Sequence, residues 1–357
     1  MSAVSRPTTA RPTRRTAALG LAAIPATGAL LATCGVSRAE SFQALSPGKA
    51  WINTAPLRPS DLAGKVVLVN FWTYTCVNSL RPLPYLRAWA DKYGDRGLVV
   101  LGVHTPEFGF ERELLRVRQA VAELGGAYPV VLDNDFAIWR SFDNSAWPGF
   151  YFVDARGQVR HRRLGEEDYA RSERVIQELL GEARGERILD PIEPVSGQGA
   201  QAAPDWADLA SPETYAGYAK AENFVGRGGL RRGGVAEYAA PERLALNGWG
   251  LSGRWDVQSE FAALAGESGS IVFRFHARDL HLVMSPGADE SPTRFRVRID
   301  GAEPGADHGV DVDAEGRGEV REARMHQLVR QSGSIRDRTF EIEFQGAGPR
   351  AYCFTFG

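Results

Sequence analysis

Two kinds of hydrophobic pattern follow one another along the chain, and the change falls near residue 200. In the first part, uninterrupted apolar runs over 66–72, 98–103 and 128–132 predict strands buried on both faces, as in a parallel sheet. Between them, 76–93 predicts a helix kinked by Pro84, and 111–124 an amphipathic helix stopped by Gly125-Gly126. A short helix follows over 136–142, then a hairpin of 150–153 and 158–160 around Asp154-Ala155-Arg156-Gly157, then a helix over 172–183. Residues 41–64, with Pro56 and Pro59, read as extended. The order β-α-β-α-β-α-β-β-α predicts one sheet covered by helices on both faces.

Residues 188–212 turn to Pro, Gly, Ala and Gln, a linker composition. Beyond it the period becomes two. Ile271/Phe273/Phe275, Leu280/Leu282/Met284, Phe295/Val297/Ile299, Phe340/Ile342/Phe344 and Tyr352/Phe354/Phe356 each put apolar residues on one strand face. With weaker runs near Leu244, Trp255 and Leu328, about eight strands are expected, closing as an all-β sandwich of jelly-roll type over 213–357. The α/β domain before it covers 41–187.

Composition adds limits. With 43% hydrophobic and 24% charged residues and a net charge of −2, the chain has no basic footprint for nucleic acid. Residues 1–39 differ from the rest: Arg6, Arg11, Arg14 and Arg15, then an apolar, Ala/Gly-rich stretch, then Ser37-Arg38-Ala39. This predicts a secretory leader, either of twin-arginine type or a lipoprotein signal with Cys34 as the lipidated residue. The expected location is therefore extracytoplasmic, in the periplasm or cell envelope, with membrane attachment only through that lipid. Cleavage after Ala39 would leave Cys76 and Cys353 as the cysteines, in a compartment where disulfides persist. Cys353, in Tyr352-Cys353-Phe354-Thr355-Phe356, reads as a small core residue of the last strand. The six histidines show no paired ligand spacing, and Asp300, Asp307, Asp311 and Asp313 read as a solvated loop, so neither metal nor cofactor is expected.

Cys76 ends Phe71-Trp72-Thr73-Tyr74-Thr75-Cys76 directly after the first buried strand, and Ser79 holds the place of a second motif cysteine. A strand delivering a cysteine to a helix start is a thioredoxin-like layout, and a helix N-terminus favours the thiolate. The run Val69-Asn70-Phe71-Trp72 with Cys76-x-x-Ser79 resembles the redoxin or TlpA-like branch of that superfamily. Further stretches extend the likeness: 98–107, Leu132-Asp133-Asn134, Trp147-Pro148, 165–169, Gly253-Arg254-Trp255 and the final Phe354-Thr355-Phe356-Gly357. Together they resemble the extracytoplasmic region of DipZ-type proteins, a thioredoxin-like domain followed by a carbohydrate-binding-module-like β domain. The departures are Ser79 and the lack, in these 357 residues, of the multi-span membrane domain of those proteins.

The resemblance implies that Pro148 is a cis-proline facing Cys76, that Trp72 packs beside the thiol and that Glu107 is the acid near the site. Thr75, Val77, Asn78 and Trp147 would then contact a substrate, and Asn70 replaces the buried acid of many thioredoxins. Thiol–disulfide exchange needs an attacking thiolate and then a second thiol to resolve the mixed disulfide. Ser79 cannot resolve it, so Cys76 is expected to act as a monothiol on exported proteins carrying thiols or disulfides, with an external resolving thiol. A redox-inactive binding scaffold is the alternative. A thiol peroxidase is a lesser one, since Thr73-x-x-Cys76 is preceded by Val69 where that chemistry wants proline. In the β domain, Trp249 and Tyr238 are the candidates for stacking on cell-envelope glycan.

Overall fold

The computed structural model describes residues 40–357 except Pro47 and Glu193. The leader over 1–39, with Cys34, lies outside the described residues.

The chain forms a thioredoxin-like α/β domain followed by an antiparallel all-β domain. Six strands build the first sheet: β1 (Ala50–Ile52), β2 (Val66–Trp72), β3 (Leu98–His104), β4 (Val130–Leu132), β5 (Gly149–Val153) and β6 (Val159–Leu164), in the order β1-β4-β3-β2-β5-β6. The apolar runs occupy its centre. β2 pairs parallel with β3 and antiparallel with β5, and all seven of its residues are buried. Alternate residues feed two cores, Val67, Val69 and Phe71 on one face, Val66, Leu68 and Trp72 on the other. The helices are α1 (Glu40–Gln43), α2 (Pro59–Leu62), α3 (Val77–Leu80), α4 (Leu83–Tyr93), α5 (Leu114–Glu123), α6 (Ala137–Ser141) and α7 (Tyr169–Arg184).

Two expected helices are redrawn. The one over 76–93 splits into α3 and α4, because neither Pro82 nor Pro84 has an N–H to donate and the break falls at Arg81-Pro82. The one over 111–124 begins only at Leu114, after a 3-10 turn at Gly109–Arg112 that turns Glu111 inward.

Gly102, in the middle of β3, is small because Trp72 leaves no room. A Cβ there would lie 2.9 Å from Trp72 Nε1 and 3.2 Å from Val130 Cγ2. Gly102→Ala is expected to cost about 1–3 kcal/mol through overpacking, read as a lower midpoint in urea with altered tryptophan emission. An unchanged midpoint would show that Trp72 yields freely.

The β domain has ten strands where about eight were expected. They are β7 (Thr214–Tyr215), β8 (Val235–Tyr238), β9 (Trp249–Val257), β10 (Ala262–Phe275), β11 (Asp279–Ser285), β12 (Thr293–Ile299), β13 (Arg317–Val320), β14 (Arg324–Arg330), β15 (Arg338–Gln345) and β16 (Arg350–Phe356). The long β10 joins two layers. It pairs β9 on one edge and β15 on the other, while its first residues, Ala262 and Ala263, pair β16. Phe273, Phe340, Phe344, Phe354 and Trp255 fill the core between the layers.

The last strand departs from strict alternation. Val283 opposes Cys353 but Met284 opposes Ala351, so Tyr352 is an extra residue in a bulge. Phe354 and Phe356 stay in the β core, whereas Tyr352 and Cys353, with Val283 and Met325, join the core of the thioredoxin-like domain. Cys353 is buried as expected, but against the other domain. Tyr352 packs on Phe108 and Phe110, with ring centroids 5.1 and 4.9 Å apart.

Candidate active site between the two domains

After β2 the chain passes through Thr73, Tyr74 and Thr75 to Cys76, the residue that starts α3. Its Sγ lies 3.9 Å from the carbonyl oxygen of Trp147, and the Trp147–Pro148 peptide bond is cis. Ser79 is buried beside it and its Oγ accepts the Thr73 N–H at 3.5 Å. Trp72, the last residue of β2, is buried edge-on to His104 at 5.4 Å. Asn70 is fully buried; its amide reaches the Gly149 carbonyl at 3.5 Å.

Cys76 is only 6% exposed. Burial pushes its thiol well above the ordinary range, and the carboxylates of Glu213 and Glu107 push further, while the Ser79 hydroxyl and N–H oppose them. The expected lowering by a helix terminus is therefore overturned. α3 is a single turn of four residues, and a one-turn dipole does not offset desolvation beside two acids. His104 is also fully buried, and burial lowers its pKa to about 3, which keeps it neutral.

Glu107 sits in the loop after β3 and faces the β domain. Its Oε1 is 2.5 Å from the Tyr215 hydroxyl and 3.0 Å from the Lys220 ammonium. The Tyr215 hydroxyl is also 2.9 Å from Glu213 Oε2. A phenol has one proton, so both contacts are hydrogen bonds only when one carboxyl is protonated. Glu213 is exposed as a residue, but burial of its carboxyl and the charge of Glu107 beside it push its pKa up.

Glu111, taken in the sequence as the first residue of a helix, is a buried part of the site. Its Oε1 accepts the hydroxyls of Thr73 and Thr75, both at 2.5 Å, and its Oε2 accepts the N–H groups of Glu107 at 2.5 Å and Phe108 at 2.9 Å. One carboxyl thus ties the loop carrying Cys76 to the loop carrying Glu107. Burial outweighs these bonds and pushes its pKa up to about 7. The sequence signal is an acid directly after two aromatics, Phe108-Gly109-Phe110-Glu111, three residues past Phe108 and so placed to bond back to the start of its own turn. Arg81 is a second residue that sequence reasoning missed: it lies just past the motif and is 3% exposed. It donates to Glu166 at 2.7 Å, to Asn78 Oδ1 at 3.0 Å and to the Phe356 carbonyl at 2.9 Å.

Several expected contact residues are corrected. Thr75 and Val77 are buried, the first held by Glu111, so their side chains face the interior and present no surface comparable to that of Asn78 or Trp147. Asn78 and Trp147 are half-buried. The Trp147 indole donates to the Thr105 carbonyl at 3.0 Å and rests on Trp139, which leaves its own carbonyl toward Cys76. Trp249 and Tyr238 are both buried, with the Trp249 indole donating to the Glu222 carbonyl at 2.7 Å. Their aromatic faces fill the β core and offer nothing to a sugar ring. The acidic loop is arginine-bound: Asp300 and Asp307 pair with Arg338, and Asp311 with Arg324.

Three parallel strands, β4-β3-β2, flanked by antiparallel β1, β5 and β6, with a cysteine delivered from β2 to a helix start, define a thioredoxin-like domain. Residues 52–180 match the redoxin family, and residues 211–357 match the family described as thioredoxin-like C-terminal domain. Protein DipZ of Mycobacterium tuberculosis and of Mycobacterium bovis is 39% identical over 240 residues, 66% of this chain and 33% of that protein. The chain thus spans about a third of the length of these relatives. Thiol-disulfide oxidoreductase YkuV of Bacillus subtilis is 29% identical over 138 residues, 39% of this chain and 93% of that protein. Among solved structures, a thioredoxin-like protein in the oxidized form is 30% identical, covers 38% of this chain and 90% of its own, and has a TM-score of 0.35. The relatives place the chain with thiol–disulfide oxidoreductase-like proteins.

Proposed function

We propose that the protein is an extracytoplasmic thiol–disulfide oxidoreductase in which Cys76 is the nucleophile of a Cys-Val-Asn-Ser motif. The supporting observation is the position of Cys76 just past β2 at the start of α3, against the Trp147 carbonyl that precedes cis-Pro148. Cys76 gives up its proton and, as the thiolate, attacks a disulfide, forming a mixed disulfide and releasing one thiolate, which takes up a proton. The carbonyl of Trp147, a half-buried residue, offers an acceptor for the backbone of a bound chain. Ser79 supports the thiolate by hydrogen bonding but cannot displace the substrate, so another thiol resolves the adduct, and an external thiol supplies the electrons that restart the cycle. The substrate class is proteins with disulfides outside the cytoplasm, a location that rests on the leader. Among the described residues no helix is long and apolar enough to cross a membrane. The β domain contributes Glu213, Tyr215 and Lys220 to the rim of the site.

Cys76→Ser is expected to abolish reduction of insulin disulfides by a reduced thiol donor, while Ser79→Ala keeps it within roughly tenfold, since one hydrogen bond to the thiolate is lost. Equal, background rates for wild type and Cys76→Ser would instead mark a binding scaffold in which the buried thiol is inert.

A further inference from the structure

The fold places a second thiol at this site. β16 crosses the thioredoxin-like domain with Cys353 facing it, and the strand is fixed on either side: Tyr352 against Phe108 and Phe110, and the Phe356 carbonyl by Arg81. Cys353 is paired in register with Tyr215, whose hydroxyl bridges Glu107 and Glu213. Glu107 and Glu213 act on both Cys76 and Cys353, and Cys353 also lies within the field of Cys76. Both thiols are free and buried. An ordinary packing residue on β16 would need no such surroundings. A small apolar side chain would fill the space without facing two carboxyls.

We propose that Cys353 is the resolving thiol of Cys76, taking the part that Ser79 cannot play. This rests on the reading of Cys76 as the nucleophile. After Cys76 attacks R–S–S–R′, R′S⁻ leaves and takes up a proton, and Cys76–S–S–R remains. Cys353 passes its proton to the Glu107–Glu213 pair, and its thiolate attacks the Cys76 sulfur. The Cys76–S–S–R bond breaks and RS⁻ leaves, protonated from the same pair. A Cys76–Cys353 disulfide forms. Two electrons have moved from the two cysteines to the substrate, and an external thiol or dithiol reduces the new disulfide. The cycle is that of a dithiol enzyme whose sulfurs come from different domains.

The test uses the full chain with glutathione disulfide as probe, followed by alkylation of free thiols, non-reducing digestion and mass spectrometry. Wild type should yield a cross-linked pair of peptides containing Cys76 and Cys353 and little glutathione on Cys76. Cys353→Ala should lose the cross-link and accumulate Cys76–glutathione on the order of tenfold above wild type, because the second exchange step is removed. Thermal unfolding of Cys353→Ala shows whether the site stays folded, and Cys353→Ser serves as a second variant. If wild type and both Cys353 variants carry equal Cys76–glutathione with no cross-link, Cys353 is not the resolving thiol while Cys76 remains the nucleophile. If none of the three forms an adduct on Cys76, the nucleophile assignment itself fails, and this proposal with it.

Discussion

Arg81→Ala is expected to destabilise the protein by about 3–5 kcal/mol, the cost of leaving a buried charge without its partner. The guanidinium is 3% exposed and its partner Glu166 equally enclosed, with 2.7 Å between them. Removing Arg81 strands Glu166, whose carboxyl burial already pushes up and Arg81 holds down. The Phe356 carbonyl would lose its donor as well. Glu166 can protonate in response, which places the loss toward the lower end of that range near neutral pH. The variant should show more than instability. Arg81 is the stitch between the short helix behind Cys76 and the strand carrying Cys353, so its loss should loosen that strand and speed alkylation of both cysteines. Arg81→Lys should recover only part, because an ammonium cannot reproduce the guanidinium fork that meets Glu166, Asn78 and Phe356 together. Denaturant midpoints and iodoacetamide rates read both effects. Wild-type stability and unchanged thiol reactivity in Arg81→Ala would mean that other contacts carry the interface.

What the sequence disclosed followed from periodicity. The central strands announced themselves because burial on both faces demands unbroken apolar runs, and Val66–Trp72 has no polar residue but Asn70. The cysteine was legible because it follows that strand directly. Local patterns could not show what depends on contacts between residues far apart. Cys353 reads as a core residue in any alternating strand, and only the bulge at Tyr352 turns it toward the other domain. Glu111 fits a helical face equally well, and the prior turn alone draws it inward. Trp249 and Tyr238 have the composition of a sugar platform, but a β domain of this size needs large aromatics to fill its core, and that demand came first. The thiol's environment is hidden from the sequence for the same reason. A helix start is visible in sequence, whereas desolvation by a second domain is not.

Glu111 supplies the sharpest pH signature. Its pKa rises from an ordinary 4.5 to about 7 on folding because burial penalises the carboxylate. An acid whose folded pKa is raised adds stability that is complete below its unfolded pKa and lost as pH rises through the folded one. Between pH 4.5 and pH 7 the unfolded chain releases this proton and the folded one keeps it, so stability should fall by about 3 kcal/mol on this account. Glu111→Gln removes the slope. Its amide can turn so that Oε1 accepts the N–H groups of Glu107 and Phe108 while Nε2 donates to the Thr73 and Thr75 hydroxyls, which mimics the protonated acid. The variant should match wild type near pH 5 and exceed it by about 3 kcal/mol near pH 8. Glu111→Ala, which leaves four donors without a partner, should lose stability at both pH values. Urea titrations at the two pH values separate these cases. A glutamine variant that is weaker than wild type at pH 8 would show that Glu111 is an ionised acceptor, held charged by its four hydrogen bonds. In that event the carboxylate, and not the acid, is what joins the Cys76 loop to the Glu107 loop.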